Sequence, residues 1–292
     1  MSNLSYMQKA TDRGQLKIHV TTERGFFPIK DASIRLSYTG NPTEIIEELS
    51  TDISGQTAAV ELPAPPLEYS MEPSEFQPYS EYTIQVNASG YRPINISGIS
   101  VLPDKTSIQN VRMETATIEN PLERNIVITA NTLYGNFPPK IPEDEIKPMT
   151  ESGEIVLSRV VIPEYVIVHD GPPSDSSAND YYVRYRDYIK NVASSEIYAT
   201  WPDAALRANI LAIMSFTLNR VYTEWYRNKG YDFTITSSTA FDHKFVYGRN
   251  IFSNISNIVD EMFNSYLSRP NVRQPDDSVG VEILSRPGIF HH

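Results

Sequence analysis

Glu196 is the side chain of this chain most suited to moving a proton onto or off a substrate. It ends the run Asp187-Tyr188-Ile189-Lys190-Asn191-Val192-Ala193-Ser194-Ser195-Glu196, followed by Ile197-Tyr198 and Ala199-Thr200-Trp201-Pro202. A carboxyl lying beside Ile197, Tyr198 and Trp201 would be shielded from water. Desolvation disfavours the charged form, so such a group keeps its proton closer to neutral pH and can act as a general acid. Breaking a glycosidic bond needs a donor of this kind. The residue types also allow a plainer reading, in which a Glu just ahead of a helix complements its dipole or is a solvated loop charge.

Other side chains invite the same weighing. Tyr198, Trp201 and Tyr247 are candidate sugar contacts, although tyrosines of this kind also cap cores. Asp242-His243 is either a second proton-transfer pair, with His243 reaching substrate, or part of a turn between strand and helix. Asp187 either orients Lys190 or Tyr188 or is simply solvated. Asp203 and Glu224 fit dipole complementation and pairing along a helix. There is no cysteine, and the 5 histidines are scattered as His19, His169, His243 and His291-His292. Thiolate chemistry, disulfides and Cys-containing zinc sites are thereby excluded, and neither a metal site nor a cofactor is expected.

Composition narrows the partners. The net charge is −11, from 25 basic and 36 acidic side chains, without any basic run. Nucleic acid is not expected, because phosphate backbones are held by clustered Lys and Arg. No stretch approaches the roughly 18 apolar residues that a spanning helix needs. Met1-Ser2-Asn3-Leu4-Ser5-Tyr6 has neither a basic nor an apolar region, so no signal peptide is expected. A hydrophobic content of 40% against 21% charged is that of a folded chain.

The elements that would position Glu196 follow from periodicity. A length of 292 residues predicts two domains. The first third reads as short strands, over residues 15–20, 32–38, 58–62, 82–86 and 108–113, with turns at Ser54-Gly55-Gln56 and Ser89-Gly90-Tyr91. This pattern predicts an antiparallel β-sandwich. Residues 63–78 hold five prolines and predict a surface loop. Residues 136–153, rich in proline and acids, predict a linker. Further strands are expected at Val160–Pro163 and Tyr165–Val168. Two long helices then follow. One runs from Pro202 to about Asn228, with Gly230 just past its end; the other runs from about Asn250 to Ser268, stopped by Pro270. The fold class predicted is α+β.

The run from Tyr188 to Glu196, followed by Trp201-Pro202-Asp203-Ala204-Ala205-Leu206-Arg207-Ala208, resembles the core of the SpoIID-type lytic transglycosylases. In that family the matching Glu is the catalytic acid/base. The wider pattern is similar to the clostridial spore cortex-lytic enzymes of the SleC type. It extends through Asn219-Arg220-Val221-Tyr222, Gly230-Tyr231-Asp232-Phe233 and Ser238–Arg249, and back to Pro28-Ile29-Lys30-Asp31-Ala32. The resemblance implies a β-sandwich pro- or accessory domain over residues 1–135 and a SpoIID-like lytic domain over 154–292. It also implies peptidoglycan strands as substrate, a spore location and an activating protease. The alternative is a non-catalytic peptidoglycan-binding or spore-envelope protein derived from that family. Two departures stand out. The zinc-binding Cys/His cluster common in SpoIID-type proteins is not carried over. A Gly-(Leu/Met)-Ser-Gln-aromatic-Gly segment is not found after Pro270, which implies a lytic domain incomplete at its C-terminal end, a more open groove at Glu196, and a chain that is either inactive or served by the groove that remains.

Overall fold

In the computed structural model, residues 12–73, 75–117, 122–133, 139–141, 157, 159–268 and 282–285 are described. The alternation over residues 15–20 becomes β1 (Asp12–Thr22), which buries Leu16, Ile18 and Val20 at every second position. β1 lies between β4 (Val60–Ala64), antiparallel to it, and β7 (Thr106–Met113), parallel to it. The far edge of β7 takes β12 (Ile251–Phe252), so the first sheet has the order β12-β7-β1-β4.

A second sheet joins β3 (Asn41–Ser50), β2 (Ser33–Tyr38), β5 (Ser80–Asn87), β6 (Ile94–Val101) and β8 (Arg124–Val127) in that order. All its pairings are antiparallel except β6 with β8. The inward residues of both sheets form one core, with Leu16 and Ile18 meeting Ile34, Leu36, Tyr82, Ile84 and Ile96. This is the expected sandwich, with two parallel pairings inside it. β3 was not expected; it is an edge strand whose Glu44, Glu47 and Glu48 are exposed, the charge that keeps open edges from pairing further. The predicted loop over 63–78 contains the end of β4 and the short helix α1 (Glu68–Met71).

The chain divides into two compact units. The first holds Met1–Tyr134 together with Tyr198–Trp201 and Val246–Asn254; the second holds Gly135–Ile197, Pro202–Phe245 and Ile255–His292. The stretch expected as linker, 136–153, lies outside the described residues apart from 139–141. The two late segments are built into the first unit by specific bonds. Asn250 is fully buried, and its side-chain oxygen accepts from the Ser100 N–H at 3.0 Å while its amide donates to the Ser100 carbonyl at 3.0 Å. Gln109 donates to the Gly248 carbonyl at 3.0 Å, and the Trp201 indole donates to the Ser70 carbonyl at 2.9 Å.

In the second unit β9 (Tyr165–His169) sits between β10 (Asp180–Arg184) and the short β11 (Ile235–Thr236). β10 leads straight into α2 (Tyr185–Glu196), a helix the sequence reading did not assign. Its buried Tyr185, Tyr188, Ile189, Val192 and Ala193 have helical spacing. α3 (Asp203–Tyr222) is the first predicted helix, ended short of Asn228. Glu224 takes a positive φ of 48° there, and a single 3-10 turn, Arg227–Lys229, is closed by Gly230 at φ 83°. The second predicted helix is only α4 (Ser253–Met262). Its supposed start, Ile251-Phe252, is β12, and its supposed end is β13 (Ser265–Ser268), paired with β14 (Glu282–Ser285). Val160–Pro163 forms no strand.

Two outcomes follow. Asn250→Ala leaves the buried Ser100 N–H without its acceptor and should cost about 1–3 kcal/mol. The measurement is a lower urea midpoint at unchanged m-value; an unshifted midpoint would show that the segment is not held this way. Limited proteolysis within 136–153 should give two bands on a denaturing gel but one peak on size exclusion. The reason is that the C-terminal fragment still supplies Val246–Asn254 to the first unit. Two separately eluting fragments would contradict this.

Candidate active site around Glu196

Glu196 is the last residue of α2, so the picture of a carboxylate placed ahead of a helix is corrected. A negative charge at a helix C-terminus opposes the macrodipole, and the residue needs a donor from elsewhere. Lys244 supplies it, its backbone N–H donating to Glu196 Oε1 at 2.7 Å. The other oxygen, Oε2, has no hydrogen-bond partner among the described residues and is not one of the buried unpaired atoms, so it faces solvent on this half-buried side chain. Dipole complementation falls instead to Asp203 in the first turn of α3, where it also pairs with Arg207 at 2.6 Å.

His243 precedes Lys244 and is 7% exposed. Its Nδ1 lies 3.4 Å from the Tyr188 hydroxyl, and its ring packs on Phe216 at 4.6 Å between centroids. Burial holds the imidazole below its ordinary value of 6.5; the nearby Glu196 and Asp242 charges oppose this, and Lys140 and Arg220 add to it. Tyr188 is fully buried, and its hydroxyl is pushed up, first by burial and then by Asp242 and Glu196. Around Glu196, therefore, stand a neutral imidazole and a neutral phenol.

Asp242, the third member, is buried in an ion pair with Arg220. Arg220 Nε donates to Asp242 Oδ1 at 2.6 Å, and the two side chains are 2% and 0% exposed. Oδ2 accepts from the Tyr226 hydroxyl at 2.6 Å, the Thr236 N–H at 2.8 Å and the Thr236 hydroxyl at 2.7 Å. Sequence reasoning gave Arg220 and Tyr226 no role; the available signal was a lone arginine on the apolar face of α3. Asp242, for which the sequence offers either a proton-transfer pair with His243 or a turn between strand and helix, has its N–H bonded to the Ser238 carbonyl at 2.8 Å. Asp187 was considered a partner for Lys190, but Lys190 pairs with Asp260 at 2.8 Å.

Glu196 and His243 thus belong together in the second unit. Tyr198, Trp201 and Tyr247 belong to the first, where their polar atoms have protein partners. The Tyr198 hydroxyl accepts from the Leu133 N–H at 3.3 Å, Trp201 bonds Ser70, and the Tyr247 hydroxyl accepts from Arg124. A pocket of about 160 Å³ in the second unit is lined by Tyr165, Arg220, Glu224, Tyr226 and Phe233, among others, but not by Glu196. Among the described residues no group of three His, Asp or Glu side chains is arranged to hold a metal ion, and no helix is long and apolar enough to cross a membrane.

Comparison with known proteins adds the following. The profile of the stage II sporulation protein family, SpoIID, matches residues 178–261. No curated protein matches the chain. Among solved structures, the TIE protein of Bacillus anthracis is 18% identical, over 36% of this chain and 17% of that one, with a TM-score of 0.25. GBS52, the minor pilin of Streptococcus agalactiae, is 15% identical, over 36% of this chain and 46% of that one, with a TM-score of 0.26. The 5-hydroxyisourate hydrolase of Klebsiella pneumoniae is 17% identical, over 35% of this chain and 86% of that one, with a TM-score of 0.23. The chain therefore spans less than half of the first two, and likenesses this slight carry nothing about function. The family match covers α2, Glu196, α3 and the Asp242–Lys244 turn, so residues 178–261 are a SpoIID domain, of a sporulation family that remodels peptidoglycan.

Proposed function

We propose that the chain cleaves the MurNAc–GlcNAc bond of spore-cortex peptidoglycan by lytic transglycosylation, with Glu196 as general acid and then general base. The observation that carries this reading is the asymmetry of the Glu196 carboxyl, one oxygen anchored by the Lys244 amide and the other open to solvent. Anchoring fixes the direction in which the free oxygen meets a substrate. Glu196 would give its proton to the glycosidic oxygen as the C1–O bond breaks. The carboxylate so formed would take the proton of the muramic C6 hydroxyl while O6 bonds to C1, closing a 1,6-anhydro ring and returning the proton to Glu196. The nucleophile belongs to the substrate, so one protein carboxyl is enough. The SpoIID family includes lytic transglycosylases, which supports the reaction class.

Under the same reading, His243 is a proposed substrate contact, and Tyr198, Trp201 and Tyr247 are proposed sugar contacts through their ring faces, since their polar atoms have protein partners. The stretch 136–153 is the proposed cutting place for an activating protease. Its described part is bonded near the site: Lys140 Nζ donates to the Asp242 carbonyl, and the Ile141 N–H to the Ala240 carbonyl at 2.9 Å.

Glu196→Gln keeps an oxygen to accept the Lys244 N–H but removes the titrating proton. Release of 1,6-anhydro muropeptides should fall by at least about 100-fold with an almost unchanged melting temperature. Equal release by variant and parent would sink the assignment, and a parent that binds cortex without releasing such ends would favour the non-catalytic alternative.

His243 gives a pH dependence with a definite sign. Its folded pKa lies below 6.5, so the unfolded chain binds more protons just under that value. The folded state therefore loses stability as pH falls from about 6.5 toward the folded pKa, and the effect levels off below it. His243→Gln should flatten the fall in melting temperature between about pH 7 and about pH 5 relative to the parent. Parallel curves for the two proteins would show that His243 is not buried neutral.

A further inference from the structure

We infer that Asp242, clamped by Arg220, is a positioning residue that holds the Lys244 amide against Glu196. Only the catalytic consequence of this inference rests on the function proposed above; the geometric part does not. Residues 237–250 contain no helix or strand, so the placement of Lys244 cannot come from a regular backbone ladder. It comes from residue 242. Both carboxylate oxygens are bonded, Oδ1 by Arg220 and Oδ2 by Tyr226 and by the backbone and side chain of Thr236. The flanking main chain is fastened too. Arg220 donates a second bond, to the Phe241 carbonyl at 3.1 Å, the Asp242 N–H reaches Ser238, and the Asp242 carbonyl accepts from Lys140.

Arg220 is itself immobilised, its guanidinium 4.4 Å from the Phe216 ring centroid and 4.6 Å from that of Trp225. Lys244 stands two residues from this anchor, and the turn between is closed by the Phe245 N–H on the His243 carbonyl at 3.1 Å. With roughly 3.8 Å per residue, a fixed residue 242 leaves the Lys244 amide little room to wander from Glu196 Oε1. Two buried charges stabilise a fold no better than an apolar pair of like size, but they define one arrangement when every donor and acceptor is met. Here both oxygens of Asp242 and two nitrogens of Arg220 are bonded inside the fold, and the arrangement they define is that of the turn facing the open carboxyl.

The test uses the full chain and reads the Lys244 amide directly. In the parent, its proton resonance and hydrogen-exchange rate report the bond to Glu196, and Glu196→Gln provides the reference for a weakened bond. Asp242→Asn should move the Lys244 resonance toward that reference and speed its exchange by about 10-fold or more, while amides within α3 stay protected. Tyr226→Phe removes a single donor from Oδ2, leaves the ion pair intact and should fold; it should speed Lys244 exchange measurably in the same direction. If the chain is lytic, both variants should lower kcat with KM nearly unchanged, because positioning rather than binding is lost. A folded Asp242→Asn or Tyr226→Phe protein with parental Lys244 shift and exchange overturns the inference. Unfolding of Asp242→Asn together with an unaffected Tyr226→Phe does so as well, since it reduces Asp242 to a stability residue. A parent without lytic activity would refute the proposed reaction, while the amide measurements would still decide the role of Asp242.

Discussion

A carboxylate at the C-terminal end of a helix sits against the negative end of the helix dipole and needs a donor from outside that helix. In this chain the requirement falls on Glu196, and much of the second unit is arranged to meet it. The donor is a main-chain N–H, that of Lys244. A main-chain donor has no rotamers to order, but it is only as well placed as its loop, and this loop has no ladder of its own. The buried Arg220–Asp242 pair supplies the missing rigidity. α3 contributes through Arg220, β11 through Thr236, and the turn after α3 through Tyr226. One polar carboxyl, open on one side, is thus supported by another that is fully buried and bonded at both oxygens.

The stretch that carries Lys244 then changes allegiance. Phe245 ends one segment of the second unit, and Val246–Asn254 belongs to the first. There Asn250 saturates both main-chain groups of Ser100, and Ile251-Phe252 extends the sheet as β12. Residues 178–261, one SpoIID match in sequence, therefore contribute to both compact units. The sandwich is not simply an appendage preceding the matched domain, because part of that domain completes one of its sheets.

What was legible in the sequence follows the same physics. The alternation in β1 was readable because one side of the strand is buried and the other is not, and α3 was readable from its density of apolar residues, which from Ile210 on leaves no position exposed. The family likeness around Glu196 was readable because it lies in a contiguous run. α2 escaped notice although Tyr185, Tyr188, Ile189 and Val192 carry the helical period, because the polar Lys190, Asn191, Ser194 and Ser195 are buried as well, where a sequence pattern would place them in water. The end of the second predicted helix failed for a different reason. Ile251 and Tyr266 fit a helical stripe on paper, but strand partners distant in sequence claim them, which no local window contains. Arg220 and Asp242 are likewise 22 residues apart, and only the fold reveals that each neutralises the other.

The distribution of protonation states around Glu196 bears on which chemistry this site can support. Glycoside cleavage by two protein carboxyls would require a second acid or base beside the first. Asp242 is near, but its side chain is fully buried and its oxygens already take four donors from Arg220, Tyr226 and Thr236. A substrate hydroxyl could reach it only by opening that network. His243 and Tyr188 are held in their neutral forms by burial, so neither stands ready as a charged partner near neutral pH. Under the proposed function, the open oxygen of Glu196 is the group left to exchange protons with a substrate, and a reaction in which the substrate supplies its own nucleophile is the glycosidic cleavage that one such group could complete.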